Sequence, residues 1–61
     1  MTMKMKLESN PRYLRIKTNL EKGTIGIMDA AKAVTDDYYK GYFAFVEAEA
    51  AIKLLAKVKV K

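Results

Sequence analysis

Met3-Lys4-Met5-Lys6-Leu7-Glu8 and Leu14-Arg15-Ile16-Lys17-Thr18-Asn19-Leu20 decide how this chain is read. In both stretches apolar and polar residues alternate, the period-2 pattern of a strand with one buried face. The alternation predicts strands over 2–8 and 12–20. Ser9-Asn10-Pro11 between them has turn chemistry, because Pro11 fixes its own φ and disfavours helical backbone at Asn10. So short a connection makes the pair an antiparallel hairpin. Its outer face would carry Lys4, Lys6, Arg15 and Lys17.

Working outward, Glu21-Lys22-Gly23 has the length of a three-residue hairpin loop with Gly at the left-handed position. A third strand is then expected over 24–28, with Thr24 as the cap of a helix starting at Ile25 as the competing reading. Asp29 can cap a helix over about 29–40, with Lys40 in its last turn and Gly41 just beyond its end. Tyr42, Phe43, Ala44, Phe45 and Val46 form an aromatic and β-branched run that reads as a strand over 42–46. The Ala-, Glu- and Leu-rich segment that follows predicts a second helix over about 47–57. Val58-Lys59-Val60-Lys61 alternates again, as a short edge strand would. The fold expected is α+β, a single small two-layer domain over 1–61. It would have an antiparallel sheet with one or two helices on one face, and a ferredoxin-like arrangement as the alternative.

Composition narrows the function. The chain has no His and no Cys, so it lacks the side chain that ordinarily titrates near neutrality, a thiolate nucleophile, disulfides and zinc-thiolate sites. Sixty-one residues bury only about 60% of the surface the unfolded chain exposes. Domains this small usually need a staple, and what remains open is self-association, binding to a partner or unusually regular packing. The net charge of +5, from 12 Lys plus Arg against 7 Asp plus Glu, favours polyanionic partners. No run approaches the roughly 18 apolar residues of a membrane span, and the opening residues lack the apolar core of a signal peptide. A cytoplasmic location is expected, with no cofactor, no metal site and no small-molecule ligand. Gln and Trp are missing as well as His and Cys, a restricted alphabet that fits an engineered or simplified chain.

Five of the six aromatic residues fall within eight positions: Tyr38, Tyr39, Tyr42, Phe43 and Phe45. Buried rings dominate the energetics of small domains, so a core role is the plain reading. A strand in a two-layer domain buries only one face, however, and Tyr42, Phe43 and Phe45 are therefore candidates for an interface or for base stacking. Lys4, Lys6, Arg15, Lys17 and Lys40 are the candidate phosphate contacts. The neighbouring carboxylates Asp36 and Asp37, and Glu47 and Glu49, read as helix-end groups rather than an acid–base pair. Ser9 has no base to activate it, and Gly23 and Gly26 do not make a phosphate loop.

The stretch Lys40-Gly41-Tyr42-Phe43-Ala44-Phe45-Val46-Glu47, followed by an Ala-rich segment, resembles the aromatic octapeptide of the RNA-recognition motif, and 14–20 resembles that family's shorter strand motif. The resemblance implies base stacking by Tyr42 and Phe45, with Lys40 and Arg15 on phosphates. Phe43 lengthens the octapeptide by one residue, and 21–39 is too short for the helix and strand that family requires. The segment 42–60 is equally similar to the last strand, helix and strand of ACT-type regulatory domains, so the chain is assigned to neither. The functional expectation is a non-enzymatic, self-associating structural domain, without a dedicated activity if the chain is engineered. The alternative is a small basic nucleic-acid-binding module.

Overall fold

Tyr13, Ile16 and Leu20 are the buried residues of the stretch that alternates most clearly, and their spacing of three and four is the period of a helix. The computed structural model, which describes residues 3–59, contains four helices and no strand among those residues: α1 Met3–Glu8, α2 Pro11–Glu21, α3 Ile27–Tyr39 and α4 Phe45–Leu55. The α+β expectation, its ferredoxin-like alternative and the basic sheet face are thereby overturned. In 12–20 the alternating set of Leu14, Ile16, Thr18 and Leu20 competes with a helical set that also includes Tyr13. The helical set wins because it buries a ring, while Leu14 and Thr18 stay exposed.

Local chemistry places the helix boundaries. Asn10 has extended backbone at φ −91° and ψ 118°, and its side chain accepts from the Arg12 N–H, at 2.9 Å. Pro11 takes the first helical position, where a missing N–H costs nothing. The turn chemistry of 9–11 is therefore a helix–helix junction rather than a hairpin. Gly23 does adopt the left-handed conformation, at φ 76°, yet it ends a helix instead of reversing a strand pair. Its N–H bonds the Leu20 carbonyl, and the Thr24 N–H bonds the Asn19 carbonyl, the paired bonds of a Schellman cap. The Thr24 hydroxyl donates to the same Asn19 carbonyl at 2.8 Å.

The expected strand over 24–28 is replaced by a short link and the start of α3, whose N-cap is Gly26. Neither Thr24 nor Asp29 caps it; Asp29 sits in the first turn, where its charge suits the helix dipole. α3 ends as expected, with Gly41 left-handed at φ 88°. The Gly41 N–H bonds Tyr38 and the Tyr42 N–H bonds Asp37, a second Schellman cap. That cap and the residues after it occupy 42–44, so the predicted strand over 42–46 is a turn running into α4. Of the segments resembling RNA-recognition and ACT-type strands, 14–20 lies within α2 and 42–46 is a turn leading into α4. Glu47 accepts from the Ala44 N–H at 2.9 Å. Ala44 has only a methyl group with which to answer, so the capping box is half built. Of the predicted edge strand, Val58 and Lys59 have no regular structure, and 60–61 lie outside the described residues.

The core comprises Leu7, Tyr13, Ile16, Leu20, Ala30, Val34, Phe43, Ala48, Ala51 and Leu55. α3 and α4 share the most extensive contact, and α2 touches the other three helices, whereas α1 packs on α2 and α4 without meeting α3. Alanines at positions 30, 48 and 51 are almost wholly buried. Small side chains there let the helix backbones approach closely and leave Phe43 and the three leucines to fill the volume.

Candidate functional site

Two surfaces carry the chemistry of this chain, one on each side of α3. Met28, Thr35 and Tyr39 recur on α3 at intervals of seven and four, and Phe45, Glu49, Ile52 and Ala56 do the same along α4 and its cap, so each set lies on one helix face. The two faces meet in an open cleft of about 290 Å³ lined by Thr35, Tyr38, Tyr39, Phe45, Ala48, Glu49 and Ile52. The Tyr38 ring sits 5.3 Å from Tyr39 and 6.0 Å edge-on from Phe45. Met28 is 82% exposed, Tyr39 79% and Phe45 63%. Tyr39 and Phe45 therefore remain largely in water within a ring cluster that already has the geometry of a core, while Met28 is exposed near the start of α3.

The opposite side of α3 is polar. Arg12 Nη1 lies 3.4 Å from Asp37 Oδ1, and the guanidinium carbon lies 3.3 Å from the centre of the Tyr42 ring. The same cation is thus held by a carboxylate and by a π-face. Beside it an open cleft of about 350 Å³ is lined by Pro11, Arg12, Arg15, Ile16, Ala33 and Asp37.

These surfaces redistribute the residues singled out from the sequence. Phe43 is buried in the core at 3% exposure and takes no part in an external surface. Phe45 is exposed on the α3–α4 cleft, and Tyr42 is half exposed against Arg12. Lys4 and Lys6 do not share a face, nor do Arg15 and Lys17, because residues two apart on a helix point about 200° apart. Lys6 pairs with Glu47 at 3.6 Å, Lys17 is half-buried, and Lys4 and Lys40 are exposed on α1 and at the α3 cap. Of these five basic residues, Arg15 alone lines either of the two clefts. Arg12, Met28, Tyr39 and Ile52 were not among the sequence-derived candidates, and helical rather than strand spacing is the signal that groups them.

Glu49 accepts from Lys53 at 3.3 Å, and Asp36 is exposed on α3. Among the described residues no cluster of three carboxylates is placed to hold a metal ion, and no helix is long and apolar enough to cross a membrane. Tyr13 is a buried titratable group with a displaced ionisation. Burial, assisted by the charges of Glu8 and Glu21, raises its pKa above the ordinary 10.0.

In comparisons with known proteins the chain matches no family model, and no curated protein or solved structure is significantly similar to it.

Proposed function

We propose that the chain is a non-enzymatic helical domain that self-associates, a second copy covering the α3–α4 face. The observation that carries this reading is the exposure of Tyr39 and Phe45 beside a cleft lined by further apolar groups. Charge selects the occupant. Glu49 and Lys53 pair on α4 and cancel in charge, and α3 carries one Lys32 and one Asp36 four residues apart without an ion pair between them. Two copies of a chain with net charge +5 repel least across a face that is itself neutral. A specific interface buries at least about 1,000 Å² in total, and one copy exposes 4418 Å², so about a ninth of each surface is enough. The engagement of Asp37, Glu47 and Glu49 in ion pairs and the absence of imidazole and thiol support the non-enzymatic part.

Sedimentation over a range of concentrations tests the reading. A reversible dimer is expected, with a melting temperature that rises with concentration. Phe45→Asp should weaken the dimer at least tenfold while leaving the circular dichroism of the monomer unchanged. A protein that stays monomeric at millimolar concentration rules out self-association.

A further inference from the structure

We propose that the cleft between the first turns of α2 and the second half of α3 is a phosphate-binding site, with Arg12 and Arg15 as its ligands. The two arginines are three residues apart and so stand one turn apart on a single face of α2. Both line the cleft of about 350 Å³, beside the apolar side chains of Pro11, Ile16 and Ala33. An apolar wall lowers the local dielectric and strengthens an ion pair formed against it. Arg12 is already in place: the Tyr42 ring covers one face of its guanidinium and Asp37 touches only Nη1. Its other N–H groups remain available at the rim. Among the described residues Arg15 makes neither a side-chain hydrogen bond nor an ion pair, and it supplies the second fork.

Phosphate fits this pair better than carboxylate does. A carboxylate has two oxygens and can be satisfied by one guanidinium, whereas the additional oxygens of a phosphate can occupy two forks at once. Asp37 offsets one of the two positive charges and leaves the cleft cationic. The helix terminus is not the source of the attraction, because Pro11 has no N–H and the Arg12 N–H is taken by Asn10. A small phosphate and the backbone of a nucleic-acid strand present the same group.

The test is a pair of titrations of isotope-labelled protein at about 50 mM salt, one with pyrophosphate and one with a short thymidine oligonucleotide, followed through the Arg12, Arg15 and Ala33 resonances. Those signals should move, Arg15→Gln should weaken binding about tenfold, and Asp37→Asn should tighten it severalfold by removing the competing charge. Saturation by pyrophosphate alone identifies a small-phosphate site. Tighter binding of the oligonucleotide, with a salt slope that Arg15→Gln reduces by about one phosphate's worth, identifies a strand. The proposal is overturned if neither ligand moves these resonances at about 5 mM, if Arg15→Gln binds as the parent does, or if Asp37→Asn binds no better. Circular dichroism of each variant separates loss of binding from loss of fold.

Discussion

The two sides of α3 use aromatic rings in opposite ways. Towards α2, Tyr42 is tied down by a cation that also holds Asp37, so the ring helps close the domain. Towards α4, Tyr39 and Phe45 gather round Tyr38 and still leave most of their area in water. Phe43, between these groups in sequence, belongs to neither and fills the core. The difference teaches that clustering in sequence is not clustering in role. The Gly41 turn and the N-terminus of α4 change the direction of the chain so often that consecutive rings leave it towards different neighbours.

The sharpest way to break this division is to shorten two phenylalanines separately. Phe43→Ala should cost about 3–5 kcal/mol in urea denaturation, by lost burial and the cavity left behind. Phe45→Ala should cost about 1 kcal/mol or less in the monomer, chiefly the edge contact with Tyr38. Equal costs would mean that the two rings do not divide as described. Gly41→Ala comes next, at about 1–2 kcal/mol, the penalty of a Cβ in left-handed backbone. No atom lies within 4 Å of the added carbon, so the cost is conformational. If the variant proves neutral, the turn that separates the two surfaces is not held at φ 88° in solution.

A smaller effect of opposite sign should follow Ala44→Ser. The hydroxyl can accept the Glu47 N–H and complete the capping box that Glu47 has half made, raising stability by about 1 kcal/mol. A thermal melt with no gain would place the start of α4 elsewhere. The smallest effect concerns pH. The folded pKa of Tyr13 lies above its ordinary 10.0, so its contribution is full below pH 10 and lost as pH rises through the folded value. Between pH 9 and 11 the parent protein should therefore lose more stability than Tyr13→Phe, with the two denaturation midpoints drawing together. A parallel decline would show that the ring ionises as freely folded as unfolded.

The breaks in the chain were legible in the sequence, and the sheet that was read between them was not there. Gly23 and Gly41 both signalled left-handed backbone, and Asn10-Pro11 signalled a break, because these signals are local and steric. Each kind of break can serve a strand pair or a helix pair, so the intervening pattern had to decide. In 14–20 it supported both periods: Ile16 and Leu20 belong to either set, and only Tyr13 against Leu14 separates them. In 3–8 six residues are too few to distinguish the periods at all, and a single residue, Leu7, is fully buried. Of the residues on the two surfaces, Arg15 and Phe45 are sequence candidates, the first from its place on the expected outer strand face and the second from the aromatic cluster. A strand sets Arg12 on the face opposite Arg15 and Lys17, whereas a helix sets it beside Arg15.

α1 reaches the rest of the molecule through fully buried Leu7, partly buried Met3 and the Lys6–Glu47 pair. Six residues cannot sustain a helix by themselves in water, so this arm forms only where α2 and α4 provide a seat. A seat of that kind is indifferent to which molecule supplies the arm. When the 9–10 joint straightens, α1 of one copy can occupy the place vacated on another and regain the same contacts, the exchange known as domain swapping. Swapped and face-to-face dimers would have equal mass yet respond differently to dilution, the first separating only as slowly as the arm peels away.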